Sequence, residues 1–183
     1  MRVETQQTGF DGLILIKPTV FPDKRGYFFE SFNAKTLLEL GIDDLFVQDN
    51  QSRSSFGVLR GLHFQKPPFA QSKLVRVLSG VILDVVVDLR LHSPTFGKHF
   101  CTELSSDNMW QLYVPKGFAH GFLVLSDSAD LFYKCDAFYC KEKEGGLFYN
   151  DPHLQIDWKL KPEQLIISDK DLHLPHLADV EPF

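Results

Sequence analysis

Short apolar segments separated by turn residues run through most of the 183-residue chain. Segments rich in Val, Ile, Leu and Phe and bounded by Gly, Pro, Asn or Ser are typical of β-strands. The pattern predicts strands at 13–16, 26–32, 45–50, 58–65, 73–78, 81–90, 110–114, 121–125 and 131–139. Many strands with few helices predict an all-β fold, a sandwich or a barrel, with the jelly roll as the leading option.

The two faces of the predicted strand 81–90 differ in polarity. Asp84 and Asp88 share one face by the two-residue period of a strand, whereas the other face carries only Leu and Val. The Ser79-Gly80 pair before this segment predicts a tight reversal from the preceding strand.

Helical signals are few. Asn33 predicts the N-cap of one short helix and Gly41 its end, and Pro162 favours a second helical turn. The tail from Ser168 onward is polar and interrupted by proline, so we expect it to wrap the surface. No change in composition marks a boundary, and the chain 1–183 is predicted to be a single domain.

Charge and composition narrow the class of protein. The net charge of -5 argues against a general nucleic-acid binder. No apolar run approaches the roughly 20 residues that cross a bilayer, and the N-terminal segment lacks the apolar core of a secretion signal. Cys101, Cys135 and Cys140 are odd in number and lack metal-ligand spacing. We therefore expect reduced thiols in a cytoplasmic protein that is not bound to a membrane.

The predicted strand 58–65 carries one imidazole and one guanidinium in an apolar run. Imidazole is the side chain best suited to exchange a proton near neutral pH, so His63 is a candidate general base. Arg60 is suited to holding an anionic group. The two residues have opposite parity, so a regular strand would direct them to opposite faces. Either a bulge at Gly61 brings both side chains inward, or one of the two assignments is wrong.

The motif Pro-x-Gly-x-x-His that ends at His120 resembles the second signature of the cupin superfamily, in which a tight turn delivers a histidine into a jelly-roll barrel. The first cupin signature would carry a His-x-His pair followed by Glu. The corresponding residues 63–65 read His-Phe-Gln, and no acidic residue occurs between Gly57 and Leu83. So few ligands make a poor site for zinc, iron or manganese, which favours a barrel without a metal.

Ordered motifs span nearly the whole chain, at 23–30, 48–52, 57–65, 71–75, 84–90, 93–97, 115–122, 133–134, 150–152 and 168–171. Together they resemble the dTDP-4-dehydrorhamnose 3,5-epimerase family, which acts on a 4-keto-6-deoxy nucleotide sugar on the route to dTDP-L-rhamnose. The resemblance implies a cupin-type jelly-roll β-barrel with a few short helices and no cofactor. It also implies a dTDP-4-keto-6-deoxy-sugar as substrate and a homodimer.

The resemblance assigns four catalytic residues. His63 would remove a proton beside the ketone, and Asp171 would orient it and stabilise the imidazolium. Tyr133 would be the acid on the opposite face of the sugar, since a phenol with an ordinary pKa near 10 suits a proton donor. Lys73 would place a positive charge beside the enolate oxygen.

The resemblance also assigns the contacts to the rest of the ligand. Arg25 and Arg60 would bind the diphosphate, and Tyr139 would stack on the thymine ring. Further ligand contacts are implied for Glu30, Gln48, Asn50, His120, Glu144 and Lys170. Asp84 is a candidate partner for His120. The segment 136–146 aligns by spacing more than by identity, so Glu142 remains an alternative to Glu144, and Phe138 to Tyr139.

Three other functions remain open from the sequence. A related enzyme could invert only C3 or only C5, or move the carbonyl between C3 and C4, because all these reactions begin by removing a proton beside a ketone. A metal-dependent cupin and a non-catalytic nucleotide-sugar-binding domain are the alternatives from other classes.

Overall fold

Two β-sheets packed face to face make up most of the structure, a computed structural model that describes residues 3–183. The strands are β1 (Val3–Gln7), β2 (Ile14–Pro18), β3 (Phe21–Asp23), β4 (Gly26–Phe28), β5 (Gln48–Ser55), β6 (Val58–Gln65), β7 (Lys73–Ser79), β8 (Val81–Asp88), β9 (His99–Ser105), β10 (Gln111–Val114), β11 (Phe118–Val124), β12 (Ser128–Cys135), β13 (Glu144–Gly146) and β14 (Ile166–Ile167). The helices are α1 (Ala34–Glu39) and α2 (Asp169–Leu172), with 3₁₀ turns at Lys141–Lys143, Pro162–Gln164 and Leu177–Asp179.

The chain passes repeatedly from one sheet to the other. The first sheet has the order β1-β2-β10-β7-β12-β5, and the second has the order β13-β6-β11-β8-β9 with β14 beside β6. All pairs are antiparallel except β14 with β6, and β3 and β4 form a separate hairpin. The all-β fold predicted from the sequence, of the cupin jelly-roll type with a few short helices, is confirmed.

Buried apolar residues fill the space between the two sheets. This core consists of Leu13, Leu15, Val75, Val77, Ile82, Val86, Leu104, Leu112, Val114, Phe118, Phe122, Val124, Ala129 and Leu131. A second cluster packs the outer face of the second sheet against the segment 147–183, and a third packs α1 against the first sheet. Because β8 lies between two of these clusters, it is buried on both faces.

The reversal predicted at Ser79-Gly80 exists, but it does not form a hairpin. β7 belongs to the first sheet and β8 to the second, so the turn carries the chain from one sheet to the other. Gly80 has φ +81°, and a Cβ at this position would clash with the carbonyl oxygen of Ser128. The predicted reversal is therefore confirmed, although a tight turn of this kind usually joins two strands that pair with each other.

Several predicted boundaries were also wrong. The segment 26–32 is extended only at β4, β5 begins and ends later than predicted, and β12 stops at Cys135. The strands β1 and β9 were missed, since β1 is mostly polar and exposed and therefore lacks the apolar pattern of a buried strand.

The helical signals were accurate. The Asn33 side chain accepts hydrogen bonds from the backbone N–H groups of Lys35 and Thr36 at 3.0 and 3.2 Å, and Gly41 follows α1 with φ +82°. The tail does more than cover the surface, because it carries the buried residue Asp171 into the interior. The three cysteines are free thiols.

A buried carboxylate at the end of β8 organises the following turn. Asp88 accepts hydrogen bonds from the guanidinium of Arg90 at 2.9 and 2.7 Å and from the hydroxyls of Ser93 and Thr95 at 2.6 Å each. Burial by itself would raise the pKa of Asp88, but these donors outweigh it and lower the pKa to about 2.

We expect Asp88→Asn to reduce the free energy of unfolding at neutral pH by about 2 kcal/mol, because the favoured anionic form is lost. Since the folded pKa is depressed, this stabilisation is complete above the ordinary carboxyl pKa and disappears as the pH falls through about 2. Urea denaturation of both proteins at several pH values below 5 should show the difference shrinking. The exposed substitution Asp107→Asn is the control. A difference that stays constant with pH would contradict the assignment.

Candidate active site

A cavity of about 630 Å³ opens between the two sheets. Side chains from β6 and β11 of the second sheet face others from β7 and β12 of the first across it. The cavity brings together nine of the residues singled out in the sequence, namely Arg60, His63, Lys73, His120, Tyr133, Tyr139, Glu144, Lys170 and Asp171.

The bulge expected at Gly61 is present. His120 of β11 lies opposite His63, and Phe122 lies opposite Arg60, so β6 has one residue more than β11 over this stretch. Gly61 has φ +116°, and a Cβ at Gly121 would lie 2.6 Å from the carbonyl oxygen of Arg60. The irregularity brings Arg60 and His63 to the same cavity despite their opposite parity.

His63 is held by a carboxylate from the C-terminal tail. Its Nε2 lies 2.7 Å from Asp171 Oδ1, and the backbone N–H of Gly61 donates to Asp171 Oδ2 at 3.2 Å. Burial would raise the pKa of Asp171, but the hydrogen bonds from His63 and Gly61 and the charge of Lys170 lower it. An ionised carboxylate can only accept hydrogen bonds, so Nε2 carries the proton and Nδ1 keeps the free lone pair.

Tyr133 and Lys73 lie on the wall that faces His63, because their strands are neighbours in the first sheet. The Lys73 Nζ lies 5.8 Å from the centroid of the Tyr133 ring. Burial raises the pKa of Tyr133, with a further contribution from Cys135, so the phenol stays protonated at neutral pH. Burial lowers the pKa of Lys73, and the acidic groups around it oppose this only in part.

A second buried pair lies beside His63. His120 Nε2 lies 2.9 and 3.1 Å from the two carboxylate oxygens of Asp84, which confirms the partner suggested by the sequence. Both residues are buried, at 6% and 0% exposure. The carboxylate contacts Nε2 and fixes the orientation of the ring, so Nδ1 is the nitrogen of His120 that does not contact Asp84.

Tyr139, Glu144 at the start of β13 and Lys170 of α2 form a connected group in the cavity wall. The hydroxyl of Tyr139 donates to Glu144 Oε2 at 2.9 Å, and Lys170 forms an ion pair with Glu144 Oε1 at 2.6 Å. Of the alternatives left open, Phe138 and Glu142 do not line this cavity. Geometry therefore favours the original pair, Tyr139 and Glu144.

Four other predicted ligand contacts lie outside this cavity. Arg25 is at the tip of the β3–β4 hairpin and pairs with Asp23, and Glu30 lines a different, small pocket. On β5, the Gln48 Nε2 donates to Asn50 Oδ1 at 3.0 Å. Within one chain the structure does not bring these four residues to the cavity.

Sequence reasoning missed Gln65 as a residue of the cavity wall. Its position two residues after His63 on the same strand was the available signal, because residues of equal parity share a face.

Across the described range 3–183, no three His, Cys, Asp or Glu side chains are grouped as a metal site would require. No helix within that range has the length and apolar character needed to span a membrane.

Comparison with known proteins finds relatives that are named as epimerases. The family model for dTDP-4-dehydrorhamnose 3,5-epimerase matches residues 7–179. The Shigella flexneri enzyme of that name is 46% identical over 97% of each chain. The dTDP-4-dehydrorhamnose 3,5-epimerase of Elizabethkingia anophelis, known from a crystal structure, is 52% identical, with a TM-score of 0.94 over 98% of each chain. A Legionella pneumophila dTDP-6-deoxy-D-glucose-3,5-epimerase in complex with dTDP-4-keto-L-rhamnose is 50% identical, with a TM-score of 0.94 over 98% of this chain and 95% of that one.

We expect Lys73→Met to raise the free energy of unfolding at pH 7, on the order of 1 kcal/mol, because burial disfavours the charged form of the side chain that it replaces. The folded pKa of Lys73 is lowered, so the unfolded chain binds more protons than the folded one between that pKa and the ordinary lysine value. Wild-type stability relative to Lys73→Met should therefore improve as the pH rises through this window. Urea denaturation at neutral and alkaline pH measures it, with Lys24→Met as the exposed control. A loss of stability in Lys73→Met at pH 7 would contradict the expectation.

Proposed function

The chain belongs to the dTDP-4-dehydrorhamnose 3,5-epimerase family, and on that premise we propose that it inverts C3 and C5 of a dTDP-linked 4-keto-6-deoxy sugar. The observation that carries the proposal is the His63–Asp171 pair facing Tyr133 across one cavity. Inversion requires removing a proton from one face of the sugar and returning one to the other. Residues on opposite sheets meet that requirement.

His63 is the base in this proposal. The hydrogens at C3 and C5 are both adjacent to the C4 carbonyl, so removing either leaves an enolate. The free lone pair on His63 Nδ1 accepts the proton, and the ionised Asp171 stabilises the resulting imidazolium. Tyr133, with its raised pKa, then supplies a proton from the opposite face.

Two basic side chains of the cavity, Lys73 and Arg60, form no ion pair within residues 3–183. The guanidinium of Arg60 donates only to the Ser54 hydroxyl, at 3.0 Å. Charge that develops on the enolate oxygen is stabilised by Lys73, and the diphosphate by Arg60. In this proposal His120, oriented by Asp84, contacts the sugar.

The nucleoside lies at the opening of the cavity in this proposal. The ring of Tyr139 is 52% exposed and free to stack on the thymine base. Glu144 and Lys170 add polar contacts beside it. The side chains invoked here supply base, acid and electrostatic stabilisation, so we propose a reaction that needs no metal and no organic cofactor.

We further propose that the enzyme is a homodimer. In the β3–β4 hairpin, the exposed fractions of Phe21, Tyr27 and Phe28 are 52%, 61% and 66%. These three side chains lie on one hairpin and form an exposed apolar surface, unlike single apolar residues scattered over a protein. Arg25 sits at the tip of the same hairpin, pairs with Asp23 and does not line the cavity of its own chain. A second copy packed on this surface could bring its Arg25 to the nucleotide.

For the location of the enzyme we propose the cytoplasm, because its reducing conditions suit the three free thiols.

Proton exchange in D₂O tests the mechanism and separates it from inversion of a single carbon. The wild type should incorporate deuterium at both C3 and C5 and invert both, as read by NMR. We expect His63→Asn to lose at least about 10³-fold in both exchange and inversion, within the range for a general base. Tyr133→Phe should still exchange, because His63 can return a deuteron to the face from which it took the proton, but it should not invert.

Titration with dTDP is the control, since both variants should bind the nucleotide nearly as well as the wild type. Activity should also survive dialysis against a chelator. Exchange at one carbon alone would identify a single-site epimerase, and full turnover in His63→Asn would exclude this residue as the base.

Light scattering after size exclusion tests the dimer. The wild type should elute with twice the mass of the chain, and the double substitution Tyr27→Glu with Phe28→Glu should give a monomer with weaker dTDP binding, because charge on the apolar surface opposes association. Lys24→Glu, on the same hairpin but without apolar surface, is the control. A monomeric wild type would contradict the proposal.

A further inference from the structure

One buried amide donor in the cavity wall has no partner. Gln65 is 4% exposed and lines the cavity, and its Nε2 is the only buried side-chain nitrogen or oxygen without a hydrogen bond within residues 3–183. Buried polar groups in native proteins are nearly always paired, so an unpaired one at a binding site calls for a reason. The His–Asp reaction chemistry does not use this side chain.

The orientation of the amide follows from its surroundings. The backbone N–H of Cys140 donates to Gln65 Oε1 at 2.9 Å, so the oxygen must face Cys140 and the NH₂ group must face away from it. In the sheet, Gln65 lies directly opposite Glu144. Its side chain and its backbone thus hold the two ends of the segment 140–144.

That position places Gln65 beside the nucleoside rather than the reacting sugar. It lies two residues from His63, about 7 Å along the strand, in the direction of the segment that carries Tyr139 and Glu144. Glu144, which lies opposite Gln65 in the sheet, has a partner on each carboxylate oxygen, Lys170 on Oε1 and the Tyr139 hydroxyl on Oε2, whereas Gln65 Nε2 has none. A neutral acceptor oxygen of the base or the sugar of the nucleoside, beside Tyr139, would be the missing partner of this amide.

We propose that Gln65 is a nucleotide-binding residue of this enzyme, in which Oε1 fixes the backbone beneath the stacked base and Nε2 donates to an acceptor oxygen of the nucleoside. The inference rests on the proposed function, since it requires a dTDP ligand. It adds to that function a specific contact for the nucleoside half.

Calorimetric titration of Gln65→Met with dTDP and with inorganic pyrophosphate tests the assignment. Met has a similar length but neither a donor nor an acceptor for the amide partners. We expect dTDP binding to weaken about tenfold, the loss typical of one hydrogen bond, while pyrophosphate binding stays within about twofold. At saturating substrate, kcat should stay within about threefold of the wild type and KM should rise.

Gln71→Met is the matched control. The Gln71 Nε2 donates to the carbonyl of Ala137 at 2.7 Å, so Gln71 anchors the same loop without lining the cavity. We expect its dTDP affinity to stay within about threefold of the wild type. A thermal melt of each variant verifies that it is folded, and Gln65→Asn supplies a second variant if Gln65→Met is not.

Three outcomes would overturn the proposal. Unchanged dTDP affinity in Gln65→Met would show that the side chain makes no contribution to binding. An equal loss in Gln71→Met would mean that loop anchoring alone matters. An equal loss for pyrophosphate would place the donor at the diphosphate. Because the readout is dTDP affinity against a wild type that binds it, these outcomes do not depend on the proton-exchange experiment for His63.

Discussion

The hydrogen bond between His63 and Asp171 joins two parts of the chain that are 108 residues apart. One carboxylate binds both the imidazole and the backbone N–H of Gly61 at the bulge in β6. The ring tautomer, the bulge and the position of the tail are therefore set by a single buried group. A buried carboxylate that loses its hydrogen-bond donors is strongly destabilised. The ring tautomer, the bulge and the position of the tail therefore depend on one another.

Within residues 3–183, some polar and charged side chains in the cavity wall have hydrogen-bond or ion-pair partners, and others have none. Asp84 forms hydrogen bonds with His120, and Glu144 forms an ion pair with Lys170. Burial disfavours the charged form of Lys73 and lowers its pKa. An apolar residue at this position would contribute more free energy to folding, so the polar group in the cavity wall has a cost in stability.

Several site features could be predicted from the sequence because they depend on local geometry. The opposite parity of Arg60 and His63 required an irregular strand, and the bulge at Gly61 is present. Asp84 and Asp88 share a strand face by parity, but their roles differ. Asp84 meets His120 from the neighbouring strand, whereas Asp88 binds the turn that follows it. Parity gives the face of a side chain and cannot give the neighbour that faces it.

The sequence by itself determined the all-β class, the cap of α1, the need for a bulge in β6 and, through ordered motifs, the family. These properties depend on residue periodicity and on residues near one another in the chain. Only the tertiary structure decided that β7 and β8 lie in different sheets, that the tail delivers Asp171 to His63, and that Gln65 keeps an unpaired donor in the cavity wall. Each of these depends on contacts between distant segments, whose partners are selected by packing of the whole core and not by the local pattern.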